Sequence, residues 1–98
     1  MIIRIVRMFF REEEVKTFLA IFEESKELIR HFEGCQHLEL LQDADDKSVF
    51  CTYSYWESTE HLENYRQSTL FNTTWAKTKV LFREKPIAFS LHTHTKVS

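Results

Sequence analysis

The sequence predicts an α+β domain with the ferredoxin-like order strand, helix, strand, strand, helix, strand. Three observations predict it: a β-branched opening run, two stretches with helical spacing of apolar residues, and a strand pair around the polar turn DADDKS. This order gives an antiparallel four-stranded sheet with both helices on one face. The length of 98 residues suits one domain spanning residues 1–98.

The first strand, in MIIRIVRMFF, is apolar on both of its alternating faces. Arg4 lies among the apolar residues of one face and Arg7 among those of the other. A strand that is apolar on both sides is buried on both sides. Because the helices cover one face of the sheet, the other face needs a partner, and we expect a second copy of the chain.

The segments that follow give the remaining elements in order. REEEVKTFLAIFEESKELIRHFEG has apolar residues at helical spacing and predicts the first helix, which Gly34 ends. Residues 35–42 and 49–56 form the second and third strands. Ser58 caps a second helical region, which we expect to break near Asn72, and the last strand runs from Ile87 to about His94.

The composition excludes several classes of function. A formal charge of −2 with interspersed signs gives no footprint for nucleic acid, and no apolar run approaches the length of a membrane span. A chain with a single glycine has neither a phosphate-cradling loop nor a dinucleotide fingerprint. Two cysteines are too few for a disulfide framework, so we expect a cytoplasmic protein.

A few side chains could act in catalysis or substrate binding, and each of them also has a purely structural interpretation. Tyr65 and Trp75 either pack in the core or form a wall that orients an aromatic substrate. Arg7 reaches solvent, pairs with an acid, or stabilises a substrate anion. His37 and Glu39 share a strand face, where they form either a general base or an exposed pair on an edge strand.

The chain resembles the antibiotic biosynthesis monooxygenase-type domains of the dimeric α+β barrel superfamily. Trp56, Ser58 and the following EHLENYRQSTLF carry the resemblance, together with the FEGC step into the second strand. It implies a homodimer whose sheets pack face to face, with a cavity between sheet and helices in each subunit. Some members oxygenate aromatic polyketides or quinol-like substrates with O₂ and without metal or flavin, whereas others degrade haem.

The haem-degrading branch uses an Asn, a Trp and an axial His at positions that carry Arg7, Tyr65 and Trp75 here. Without that imidazole the iron has no ligand, so haem degradation is the least favoured alternative.

The resemblance therefore implies a cofactor-independent monooxygenase that acts on a small aromatic or quinol-type substrate. The alternative is a non-catalytic dimeric module that binds a small ligand. We expect neither a metal nor a cofactor. The predicted catalytic residues are Arg7, His37 and Tyr65, and the predicted substrate-binding residues are Trp75, Phe18, Phe22 and Tyr53.

Overall fold

The computed structural model describes residues 1–98 and has the predicted order of strands and helices. The elements are β1 (Ile2–Phe9), α1 (Val15–Arg30), β2 (Cys35–Gln42), β3 (Val49–Trp56), α2 (Thr59–Arg66), α3 (Thr69–Lys79) and β4 (Ile87–Leu91). A short 3₁₀ turn, Glu12–Glu14, leads into α1. The predicted ferredoxin-like α+β fold is confirmed.

The four strands form one antiparallel sheet in the order β2-β3-β1-β4. On β1, Arg4 pairs with Ser54 of β3 and with Ser90 of β4, so these three residues point to the same face. That face is covered by the helices. The opposite face, called here the open face, carries Ile3, Ile5, Arg7 and Phe9 of β1 with the residues paired to them.

Exposed apolar side chains concentrate on the open face. The three residues of β4 that share it, Ile87, Phe89 and Leu91, are each about half exposed, as is Leu41 of β2. Register fixes their orientation, since Ile87 pairs with Arg7 and Phe89 with Ile5 of β1. The sheet face opposite the helices is therefore uncovered within one chain, as the sequence predicts.

The core lies between the sheet and the helices in two groups of buried residues. The larger group contains Met8, Phe10, Phe18, Phe50 and Leu81, and the smaller contains Cys35, Trp56 and Leu62. Phe10 is fully buried, and its ring stacks on Phe18 with centroids 4.1 Å apart. Both groups contribute side chains to one cavity, described below.

The second helical region breaks earlier than the sequence predicts. The break falls at Gln67 and Ser68 rather than near Asn72, and it separates α2 from α3. The Ser68 hydroxyl accepts a hydrogen bond from the backbone N–H of Phe71 at 3.1 Å and donates one to the Tyr65 carbonyl at 2.6 Å. Ser68 thus caps the start of α3 and satisfies a carbonyl in the last turn of α2.

The last strand ends at Leu91 rather than near His94. Leu91 pairs with Ile3, and β1 itself begins at Ile2, so the residues after Leu91 have almost no strand to pair with. None of the helices combines the length and the apolar character needed to cross a membrane.

Gly34 connects α1 to β2 in a conformation that suits glycine. Its φ of +91° lies in the left-handed region, and a Cβ there would overlap the His61 side chain. His61 is held in turn by Ser58, whose hydroxyl accepts from the His61 backbone N–H at 3.2 Å. The start of α2 and the end of α1 are therefore in close contact.

Candidate ligand cavity

A cavity of about 260 Å³ lies between the helix-covered face of the sheet and the helices. This volume is close to the lower end of ligand pockets, about 300–1,000 Å³. Thirteen of its twenty lining residues are hydrophobic. The polar remainder includes two arginines, Arg4 and Arg66, and the small hydroxyl residues Thr52, Ser54 and Thr74. The cavity is therefore an apolar space with a few polar groups, as small-molecule sites are.

Tyr65 forms one wall of the cavity and is held by other aromatic rings. Its ring stacks on Trp56 with centroids 4.8 Å apart and an interplanar angle of 23°. Phe32 and Phe71 meet it edge-on at 5.4 and 5.3 Å. Trp56 is itself fully buried and donates its indole N–H to the Ser54 hydroxyl at 3.0 Å. Tyr65 is thus fixed by packing on three sides.

The Tyr65 hydroxyl makes no hydrogen bond to another protein group, and its oxygen is not fully buried. Burial, together with the nearby Cys35 thiol, raises the pKa of Tyr65 far above its usual value. The phenol therefore keeps its proton at neutral pH. It can donate a hydrogen bond into the cavity, most favourably to an anion.

Trp75 forms a second part of the wall. Its ring is parallel to Phe71, at 5.8 Å and 12°, and meets Phe82 edge-on at 5.6 Å. Phe18 and Phe22 of α1 also line the cavity, and Phe18 belongs to the buried core as well. Together these rings give flat surfaces on which a small aromatic molecule can stack.

Arg4 and Arg66 bring positive charge to this otherwise apolar space. Arg4 donates from Nη1 to the Ser90 hydroxyl at 3.1 Å, and it has no carboxylate within ion-pair distance. Burial is the main cause that lowers the pKa of Arg4, the charge of Arg66 adds to it, and Glu63 opposes it. Arg66 pairs with Glu63 at 3.3 Å in a half-exposed contact.

Three of the residues predicted for the site lie on the open face instead. Arg7 pairs with Asp43, with Nη2 and Oδ1 3.0 Å apart, which is the paired alternative considered from the sequence. The hydrogen bond to Asp43 raises the pKa of Arg7. His37 and Tyr53 are on the same face, with the rings of His37 and Tyr53 edge-on at 6.0 Å.

Around His37 the open face carries a small polar cluster. His37 Nε2 lies 2.6 Å from Oε1 of Glu39, with both side chains partly exposed on the edge strand β2. The hydroxyls of Tyr53 and Tyr55 lie 2.8 Å apart and share a hydrogen bond. The hydrogen bond with Tyr55 is the main reason that the pKa of Tyr53 is raised. The cluster is separated from the cavity by the sheet.

The seven predicted site residues therefore divide into two groups. Tyr65, Trp75, Phe18 and Phe22 meet at the cavity, whereas Arg7, His37 and Tyr53 do not reach it. Sequence reasoning missed the arginines of the cavity. Arg4 carried a usable signal, because it alternates with Arg7 on β1 and shares the face of buried Met8. Arg66 directly follows Tyr65, and nothing in its helical position singled it out.

The structure thus defines a ferredoxin-like α+β domain with an aromatic-lined cavity of ligand size. The family model for antibiotic biosynthesis monooxygenase matches residues 1–77. The chain belongs to the antibiotic biosynthesis monooxygenase family. A comparison with curated proteins gives no match.

Solved structures of low sequence identity share the fold. A crystal structure described as an antibiotic biosynthesis monooxygenase is similar at a TM-score of 0.91 and 18% identity, over 97% of this chain and 100% of that one. Rv0793 from Mycobacterium tuberculosis is similar at 0.89 and 18%, over 99% and 98%. PA3566 from Pseudomonas aeruginosa is similar at 0.84 and 16%, over 96% and 94%.

Proposed function

We propose that the chain is a cofactor-independent monooxygenase that oxidises a small aromatic or quinol-type substrate with O₂. The observation that carries the proposal is the cavity lined by Tyr65, Trp75, Phe18 and Phe22, with room for a small ring system. Membership of the antibiotic biosynthesis monooxygenase family supports the reaction type. In this proposal Tyr65 donates a hydrogen bond to the reacting oxygen, and the other three rings position the substrate.

In this reaction the substrate anion itself reduces O₂, so the protein acts mainly by binding the substrate. An ionised phenol or enol transfers an electron to O₂, a C–O bond forms at the ring carbon, and the resulting hydroperoxide loses water to leave a carbonyl. One oxygen atom of O₂ enters the product and the other leaves as water; the substrate supplies all four electrons, two as the hydroperoxide forms and two as it loses water. The protein then needs to hold the anion, orient the ring and exclude water from the intermediate.

Proton transfer sets a condition on the substrate. The titratable side chains that line the cavity are Arg4, Arg66 and Tyr65. The two arginines are always protonated, and the raised pKa of Tyr65 keeps its phenol neutral. None of these three side chains therefore accepts a proton at neutral pH. The substrate must therefore lose its proton to water, which favours compounds that ionise readily.

We propose further that two copies associate through the open face. Its half-exposed apolar residues Ile87, Phe89, Leu91 and Leu41 lose contact with water when a second sheet packs against it. Arg7, His37 and Tyr53 then lie at or near the contact between copies, and we assign them there rather than to the substrate. The two free cysteines, Cys35 and Cys51, suit the reducing cytoplasm, which we propose as the location.

A second candidate is a non-catalytic module that binds a small aromatic ligand. The observation that favours it is the lining itself, in which no carboxylate and no imidazole is present to act as a general base. Haem degradation gains no such support, because no histidine lines the cavity to hold the iron.

Oxygen consumption distinguishes the two candidates. Purified protein is mixed with a panel of hydroquinones and anthrones, O₂ uptake is followed with an electrode, and products are checked for the added oxygen atom by mass spectrometry. The monooxygenase predicts uptake above the uncatalysed rate with at least one compound. Loss of the Tyr65 hydroxyl in Tyr65→Phe should lower kcat roughly 10²-fold, the typical effect of one donor to a developing oxyanion.

Two further variants complete the design. Trp75→Leu removes a wall of the cavity and should act mainly through KM, because it weakens substrate and transition state alike. Leu28→Ala removes an exposed apolar side chain of α1 and should retain wild-type rates. Binding of a panel member in the cavity without any O₂ uptake would support the binding module and refute the enzyme.

A further inference from the structure

Arg4 is a partly buried arginine that has no ion-pair partner within the chain. Its guanidinium lies at the edge of an apolar cavity, partly removed from water, and its one side-chain hydrogen bond within the chain goes to the neutral Ser90 hydroxyl. Burying a charge costs free energy unless an opposite charge compensates it. The other arginines of the sheet region are satisfied differently: Arg7, for example, has Asp43 at 3.0 Å.

The acidic residue that influences Arg4 electrostatically, Glu63, forms no ion pair with it. Glu63 is close enough to influence Arg4 electrostatically, but its carboxylate contacts Arg66 at 3.3 Å. Arg4 and Arg66 line the cavity and Glu63 pairs with Arg66, so this cluster of three groups has two positive charges and one negative charge. The cluster therefore has one excess positive charge, and the partly buried member of it faces the cavity.

The surroundings of Arg4 leave space for a ligand. The residues paired with it across the sheet, Ser54 and Ser90, are both small and point to the same face. The Ser54 hydroxyl is already occupied by the indole N–H of Trp56 at 3.0 Å. Arg4 is thus flanked by short side chains, while the aromatic wall of Tyr65 and Trp75 lines the same cavity.

We propose that Arg4, assisted by Arg66, is an anion-recognition site and that the substrate is an aromatic compound carrying a carboxylate. The anion binds the guanidinium and the ring stacks in the cavity, where Tyr65 donates a second hydrogen bond. The inference rests on the proposed function in taking this cavity as the substrate site. It adds a carboxylate to the substrate class and names the residue that selects it.

The test compares two probes of nearly equal shape, 2-naphthoate and its uncharged amide, 2-naphthamide. Binding is followed by quenching of tryptophan fluorescence, since Trp56 and Trp75 both line the cavity. The wild-type protein should bind the carboxylate at least tenfold more tightly than the amide. In Arg4→Gln this preference should disappear through loss of carboxylate affinity, and in Arg4→Lys, which keeps the charge but loses the planar fork, part of it should remain.

A matched control removes one positive charge elsewhere. Lys16→Gln changes the net charge by the same amount on the exposed surface of α1, and it should leave the preference intact. Circular dichroism and thermal melts check that each variant is folded. Equal affinity of the wild-type protein for the two probes, or no binding of either, would overturn the inference without any variant being needed.

Two other outcomes are decisive. A preference that survives Arg4→Gln but is lost in Arg66→Gln would overturn the assignment to Arg4. A clear preference for the carboxylate in a protein that consumes no O₂ with any panel compound would support the anion site while refuting the monooxygenase. The binding measurement requires no turnover, so failure of the inference and failure of the proposed function give different results.

Discussion

Dimerisation through the open face is tested most directly at Phe89, in the middle of β4. Phe89 is 42% exposed in the isolated chain, and it pairs with Ile5 near the centre of β1. The variant Phe89→Asp places a carboxylate on this apolar surface. If two copies pack sheet against sheet, the substitution acts on the contact twice, once from each copy.

The size of the effect follows from burial. Covering a whole Phe side chain contributes about 1.5–3 kcal/mol, so the exposed fraction of Phe89 contributes about 0.6–1.3 kcal/mol per copy and about 1.2–2.6 kcal/mol per dimer. Each carboxylate that loses water without a partner adds about 1–3 kcal/mol or more. The total is at least about 3 kcal/mol, which weakens the dimer by roughly 100-fold.

Sedimentation velocity and light scattering over a concentration series give the dissociation constant of each variant. Leu28→Asp is the control: Leu28 is 61% exposed on α1, away from the sheet, so its substitution should leave the mass unchanged. A wild-type protein that is monomeric at micromolar concentration would refute the assignment of the open face. So would a Phe89→Asp variant that dimerises as well as Leu28→Asp.

Two further predictions concern stability. Gly34→Ala should lower the free energy of unfolding by about 1–3 kcal/mol in urea titrations, since φ is +91° and a Cβ would overlap His61; an unchanged midpoint would contradict this. Hydrogen bonds from Ser48 and then Arg83 lower the pKa of Asp46 to about 2. Their stabilising contribution is complete above the unfolded value of about 3.8 and is lost as the pH falls through about 2. The melting temperatures of the wild-type protein and Asp46→Asn should therefore converge between pH 4 and pH 2, and a gap that stays constant would contradict the assignment.

The fold could be predicted because each local signal agrees with the others. Gly34 takes its positive φ in the connection between α1, which ends at Arg30, and β2, and Ser58 caps α2. The break between α2 and α3 was misplaced because Ser68 works as a cap through its side chain. Helical periodicity alone does not distinguish a capping serine from a serine within a helix.

The site was harder to predict because β1 is apolar on both faces. Arg4 and Arg7 have the same chemistry and similar neighbours in sequence, and composition alone does not say which face the helices cover. The register of β3 contains the missing information. Trp56 lies on the helix-covered face, and strand alternation then places Ser54 and its partner Arg4 there, with Tyr53 and Arg7 on the open face.

This alternation makes β1 common to two separable surfaces. Substitutions at Arg4 should change affinity for aromatic anions, whereas substitutions that face the other way, such as Phe89→Asp, should change the mass of the particle. A single hydrogen-bonded sheet separates the two surfaces, so side chains on its two faces do not contact one another. An Arg4→Gln protein that keeps its dimer while losing its preference for naphthoate would therefore locate ligand selection on one face and association on the other.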